Sequence, residues 1–196
     1  MAWGHGVEIF RLMLFLGLVF HKLLWEVLKR RDKASGVRQQ SSKGSGRSLI
    51  KFAKGIVLVF LAFQTLFLDL LPMSDQPTRL RTIGTAIYVV GLATAMIGRL
   101  QLGKNWVDLE DYRVLPEQSL VTKGLYRYIR HPIYTGDILL LIGLELALNS
   151  WLVLAVSIPF LIAIRQASAE EKVLSQAFHD YDAYRKSTKR FIPFII

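Results

Sequence analysis

Residues 124–136 read Gly-Leu-Tyr-Arg-Tyr-Ile-Arg-His-Pro-Ile-Tyr-Thr-Gly. Three aromatics, two arginines and a histidine stand directly ahead of an apolar run over residues 138–148. Proline lacks an amide hydrogen and has a fixed φ, so it is excluded from a helix interior but favoured in the first turn. Pro132 therefore marks a helix start. The stretch places a polar, aromatic cluster at the mouth of a membrane-type helix, where such groups are costly and are retained for function.

The rest of the chain has the same character. Of its 196 residues, 52% are hydrophobic, and they fall in long blocks. This points to an all-α integral membrane protein forming one domain, residues 1–196. Apolar segments lie at about residues 7–28, 49–71, 83–102, 138–148 and 151–164. The first three, within residues 1–102, read as spanning helices of about 20 residues. The last two are short for a span and are separated only by Asn149 and Ser150, so a tight helical hairpin that crosses obliquely or incompletely is expected. Gly84, Gly91 and Gly98 recur every seven residues and put one glycine stripe on one face of the third segment, a pattern for close helix packing.

Charge orients the chain. Residues 29–54 hold nine Lys/Arg, Arg38 and Lys43 among them, against one acid, Asp32, and so carry +8 of the net +10. Between apolar blocks this reads as a cytoplasmic loop facing anionic lipid; no nucleic-acid partner is expected. The loop over residues 103–135, with Lys104, Arg113, Lys123, Arg127 and Arg130, and the tail after Arg165 return to that side. Five segments, N-terminus outside and C-terminus inside, satisfy the rule, with a multi-pass protein of a prokaryotic inner membrane as the expected setting. Cysteine is absent, which excludes disulfides, thiolate catalysis and Cys-ligated metals, and no metal is expected.

The tail, residues 167–187, has helical periodicity. Val173, Leu174, Ala177, Phe178, Tyr181 and Tyr184 form one stripe. Glu170 falls near the middle of that stripe and Glu171 at its edge. A carboxylate on an apolar face needs a partner; at a helix N-terminus it is welcome without one. Other residues have equally plain readings. His131 alone reads as a helix cap bonding the backbone. Tyr126, Tyr128 and Trp106, and also Trp3 and Trp151, read singly as an interfacial aromatic belt. Asp137 and Glu145 lie roughly on one face and read either as a polar pair facing the bundle or as groups specific to this protein's substrate.

Several motifs occur together: Leu102-Gly103-Lys104-Asn105-Trp106; Leu120-Val121-Thr122-Lys123-Gly124-Leu125-Tyr126; Arg130-His131-Pro132-Ile133-Tyr134-Thr135-Gly136; and Glu170-Glu171 with Leu174, Phe178, Tyr181, Tyr184, Arg190 and Pro193. In this combination, over about residues 100–193, the chain resembles the isoprenylcysteine carboxyl methyltransferase family in its short prokaryotic form, and the related phospholipid N-methyltransferases. The resemblance implies S-adenosylmethionine as methyl donor, held by the cytoplasmic loop and the amphipathic tail helix. It implies cofactor contacts at Gln118, Ser119, Leu120, Val121, Tyr126, His131, Pro132, Ile133 and Tyr134, and an active-site role for Glu170. In the family an arginine four residues before that glutamate handles the substrate carboxylate. Here that position is Gln166, with Arg165 beside it, and both are candidates.

The acceptor implied is lipophilic or membrane-embedded. A carboxylate acceptor is already ionised at neutral pH and needs alignment and desolvation more than a base. A phospholipid amine or small thiol is the alternative, and an amine needs a proton acceptor such as His131 or Glu170. Thr135-Gly136-Asp137 also echoes an element of NADPH-dependent sterol-type reductases, though the Glu-Glu tail favours methyl transfer.

Overall fold

The computed structural model describes residues 5–34, 45–106 and 118–193. Trp3, the part of the basic loop with Arg38 and Lys43, and the stretch with Arg113 lie outside the described residues. Among the described residues there are six α-helices and no strand: α1 (His5–Ala34), α2 (Ser45–Phe67), α3 (Thr78–Leu102), α4 (Pro132–Ala147), α5 (Ser157–Ala177) and α6 (Tyr181–Ser187). Short 3-10 turns at Gly103–Asn105, Gly124–Arg127 and Trp151–Val156 link them.

The helical expectation holds, with two corrections. The fifth apolar run is not short. The turn at Trp151–Val156 leads straight into α5, giving 27 residues, Trp151–Ala177, long and apolar enough to cross a membrane. Thr78–Asn105 is the other such helix among the described residues. The tail, conversely, is not one helix over 167–187. Its first half is the end of α5, the chain turns extended at Phe178 (φ −119°, ψ 117°), and α6 starts afresh at Tyr181. The break lets α6 fold back, so that the Tyr184 hydroxyl donates to the carbonyl of Tyr126 (2.8 Å).

α3 and α4 run antiparallel with their backbones in contact. A Cβ on Gly84 would lie 2.3 Å from the Ala147 nitrogen, one on Gly91 2.3 Å from that of Leu140, and one on Gly98 3.2 Å from the Ile133 side chain. From the α4 side, a Cβ on Gly143 would lie 2.2 Å from the Tyr88 nitrogen, and one on Gly136 2.3 Å from that of Ala95. The glycine stripe is thus half of a two-sided seam, repeating every seven residues on both helices. The seam places α4 at the centre of the bundle, with Leu140, Leu144 and Ala147 fully enclosed.

Polar ties fasten α1 and α2 to this pair. The Tyr88 hydroxyl donates to the Leu14 carbonyl (2.8 Å). Arg11 pairs with Asp69 (2.5 Å) at one end of α1, and Asp32 with Arg99 (2.5 Å) at the other. Asp137 and Glu145 do not pair with each other. Gln64 on α2 donates to Glu145 (2.8 Å), and Asp137 faces His21 on α1. Outward, Met13, Leu16, Phe20 and Leu23 of α1, Ile56, Val59 and Phe63 of α2, and Ile158, Leu161 and Ile162 of α5 are exposed. So much uncovered apolar surface suits lipid rather than water.

The two ends of the bundle differ. At one end the 68–77 reversal is zipped to the 149–151 turn: Met73 N–H donates to Asn149 O (3.0 Å), Trp151 N–H to Leu71 O (2.9 Å), and the Asn149 amide bonds both backbone groups of Ser74. The opposite end gathers the 118–131 loop, the last turns of α5, α6 and the tail. Replacing Gly91 by Ala, which drives a methyl into the α4 backbone, should lower stability by about 1–3 kcal/mol. Gly55→Ala, where the added carbon meets nothing within 4 Å, should be neutral or stabilising; thermal unfolding in detergent separates the two.

Candidate functional site

The site is built on a parallel bridge between the Arg-His-Pro stretch and the tail. Arg130 N–H donates to Lys189 O (2.8 Å), His131 N–H to Arg190 O (3.1 Å) and Lys189 N–H to Tyr128 O (3.1 Å). The Thr135 hydroxyl lies within hydrogen-bond distance of His131 O and Phe191 O. The 124–127 turn is held from α3, where the Gln101 side chain accepts from Leu125 N–H (2.8 Å). Glycine suits position 124 because its φ is +64°, a conformation strained for any residue with a Cβ.

Glu171 is the centre of the cluster. It is 4% exposed. One carboxylate oxygen accepts from Arg130 Nε (2.9 Å), Arg190 Nε (3.0 Å) and His131 Nε2 (3.1 Å), and the other from the terminal nitrogen of Arg190 (2.6 Å). Charge-assisted and partly bidentate bonds of this kind are the strong ones. Arg130 also reaches Thr188 O (2.5 Å), and Arg190 reaches Ser168 (3.3 Å). Pairing with Glu171 holds the Arg190 guanidinium above its ordinary pKa. Burial pushes Tyr184 up to about 12 and raises Tyr126 as well, so both stay neutral hydroxyl donors.

Glu170 is placed differently. Its side chain is 32% exposed. It accepts a short hydrogen bond from the Tyr134 hydroxyl, and its second oxygen is 3.6 Å from His131 Nδ1. The His131 ring lies between the two glutamates and stacks on Tyr134 (centroids 5.5 Å, 18° between planes). The burial order inferred from the periodic stripe is therefore reversed: Glu171 is enclosed and Glu170 faces outward. Both sit in the last turns of α5, so an N-terminal placement is also ruled out. His131 does occupy the N-cap position of α4, but its side chain makes no cap hydrogen bond. It spends its ring nitrogens on the glutamates.

The other predicted residues divide. Pro132 is buried at the first position of α4, and Ile133 packs on Gly98 of α3. Tyr126 and Trp106 are buried rather than belt residues, whereas Tyr128 and Trp151 remain half exposed. Tyr126 donates to Gly98 O (3.3 Å). Gln118 and Ser119 bond Asn105 of the 103–105 turn (3.2 and 2.8 Å), which ties residues 118–121 to the end of α3; Leu120 and Val121 are half buried. Gln166, half buried, is one turn before Glu170, while Arg165 is exposed on another face of α5.

Two features were not assigned by sequence reasoning. Arg190 and Thr188 complete the Glu171 cluster. Arg99, 1% exposed, stacks over Trp106 (4.4 Å) while paired with Asp32. The one acid in a run of nine bases was the available signal for that pair.

A sequence model described as phospholipid methyltransferase matches residues 80–181, just over half of the chain. The chain belongs to the phospholipid methyltransferase family. Among curated relatives, this family member is 31% identical over 110 residues to the cobalt-zinc-cadmium resistance protein CzcN of Cupriavidus metallidurans, covering 54% of this chain and 47% of that one. It is 28% identical over 99 residues to the protein-S-isoprenylcysteine O-methyltransferase of Schizosaccharomyces pombe, covering 49% and 42%. It spans under half the length of these relatives. Its fold is similar to that of the eukaryotic intramembrane Ras methyltransferase ICMT, with a TM-score of 0.55 at 22% identity, covering 79% of this chain and 55% of that one.

Removing one partner of a buried ion pair strands the others. Glu171→Ala in this family member should therefore cost about 3–5 kcal/mol, read as a lowered unfolding midpoint. Glu170→Gln, at the less enclosed glutamate, should lower that midpoint far less.

Proposed function

We propose that the protein is an S-adenosylmethionine-dependent methyltransferase acting on a lipophilic, membrane-borne acceptor. The observation that carries this reading is Glu170: a carboxylate about one-third exposed, held by Tyr134 and faced by His131, in a member of the phospholipid methyltransferase family. An anionic oxygen beside an aromatic ring suits a ligand with a positively charged sulfur and amino group, by ion pairing and cation–π attraction. The donor set therefore fits S-adenosylmethionine, which supplies an electrophilic methyl group when bound.

The chain's own residues do the rest. Tyr134 fixes the Glu170 carboxylate through its hydroxyl. His131, locked by Glu171, supports both from behind. Ile133 and Pro132 wedge this corner against α3, so the site is rigid before any ligand enters. Gln118, Ser119, Leu120 and Val121, anchored on Asn105, serve as the cofactor-side lip, with Tyr126 beneath. Gln166, one turn from Glu170, is favoured over the exposed Arg165 as an acceptor contact. Alignment of two reactants on such a scaffold supplies on the order of several kcal/mol of barrier lowering.

The reading includes the setting. A single membrane domain with three N-terminal helices in residues 1–102 carries the site within residues 103–196. Five crossings, with the site end in the cytoplasm, agree with the basic loops and with the gathering of residues 118–131 and the tail at one end of the bundle. Calorimetry on the detergent-solubilised protein should show binding of S-adenosylhomocysteine; no binding, with a clear thermal shift by NADPH instead, would reject the reading. Glu170→Gln should lose most turnover, about a hundredfold if ion pairing is lost at a desolvated site, as measured by transfer of labelled methyl groups to membranes.

A further inference from the structure

One polar pair is used neither by the Glu171 cluster nor by the proposed cofactor contacts. His21 of α1 and Asp137 of α4 approach to 3.2 Å, His21 Nε2 to Asp137 Oδ1. Both atoms are buried, yet neither has a hydrogen-bond partner of acceptable geometry. The residues themselves are open, with side chains 22% and 40% exposed. Trp25 stacks on the His21 ring at 4.4 Å and fixes its plane. Asp137 follows Tyr134 by three residues on α4, so it stands almost above it, about 4.5 Å along the axis. Tyr134 and Asp137 are thus neighbours one step apart on an oblique i, i+3 ridge of α4, Tyr134 meeting Glu170 of α5 and Asp137 meeting His21 of α1.

Two ionisable groups at membrane depth, facing each other without a formed bond, are poised for a third group. An aspartate that orients a histidine is an arrangement for accepting a proton. The surroundings also speak against a carboxylate ligand. Among the described residues, the buried arginines near the site are committed: Arg130 and Arg190 to Glu171, and Arg99 to Asp32. The position one turn before Glu170 is the neutral Gln166, and Asp137 would repel an anion.

We propose that His21 and Asp137 form the acceptor subsite, that the acceptor carries a protic nucleophile (N–H, O–H or S–H) rather than a carboxylate, and that His21 takes its proton. The acceptor's lone pair bonds to the methyl carbon, the carbon–sulfur electron pair returns to sulfur to give a neutral thioether, and the proton passes to His21 Nε2, leaving an imidazolium beside Asp137. The inference rests on the methyltransferase reading and deepens it.

The test uses the full-length protein in native membranes with labelled S-adenosylmethionine. Alkaline hydrolysis releases methanol from methyl esters but not from N-, S- or ether O-methyl groups. The label is expected to resist base. Release as methanol, or no labelled product from a protein that binds S-adenosylhomocysteine, overturns the proposal. His21→Gln and Asp137→Asn preserve shape but not proton uptake; each should cut turnover about a hundredfold while the S-adenosylhomocysteine dissociation constant stays within about twofold, since only the acceptor's proton is affected. Unchanged turnover in both variants assigns the pair to packing alone. If the wild type binds no S-adenosylhomocysteine, the methyltransferase reading itself fails, a result distinct from failure of the subsite.

Discussion

The bundle depends on the contact between the α3 and α4 backbones. Four close approaches, at Gly84, Tyr88–Gly143, Gly91 and Ala95–Gly136, bring main chain against main chain, and at Gly98 the Ile133 and Pro132 side chains pack directly on the α3 backbone. Helices this close have little freedom to slide or rotate, because any shift sets a Cα against a carbonyl. Their register places Ile133 and Pro132 against Gly98, and so positions the Arg-His-Pro stretch at the end of α3. The 124–127 turn is hung from the same helix end by Gln101 and Gly98. The site is the far end of a rigid two-helix bar.

Two adjacent glutamates on α5 show how position divides identical side chains. Successive helical residues point about 100° apart. Glu171 continues the line of Ala163 and Ala167 into the bundle, where small residues leave room for two guanidiniums and an imidazole. Glu170 turns toward Tyr134 and the outside. The enclosed carboxylate joins three separate pieces of chain, α5, the Arg-His-Pro stretch and the tail. The outward one bonds Tyr134, and its side chain stays 32% exposed. A single imidazole, His131, bonds the first and approaches the second, so the enclosed carboxylate helps set the orientation of the outward one.

Much of this was legible in the sequence where one residue's chemistry sufficed. Pro132 announced the start of α4, the seven-residue glycine repeat announced a close helix contact, and the polar stretch and Glu-Glu tail were correctly brought to one end. The failures have a common cause. Helical periodicity continues in number through residues 173–184, but the chain bends at Phe178 because Tyr184 gains a partner in Tyr126, a contact between residues 58 apart. Which glutamate is buried follows from the inward face of α5, the line of Ala163, Ala167 and Glu171. His131 looked like a cap because its partner, Glu171, is 40 residues away. Asp137 and Glu145 looked like a pair because they share a face, yet their partners, His21 and Gln64, come from two other helices. Local pattern reports which face a residue occupies; it does not report what will be opposite that face.

The bridge between residues 128–131 and 188–191 has a temporal consequence. Arg130 leaves the ribosome about 60 residues ahead of Arg190, which at 5–20 residues per second is roughly 3–12 s. During that interval α5 is completed and the glycine seam between α3 and α4 can close, while Glu171 still lacks one of its two arginines and the edge that orders His131. The α3–α4 scaffold is therefore made before the candidate site is completed. The stretch over residues 188–191 thus acts as the latch of the candidate site.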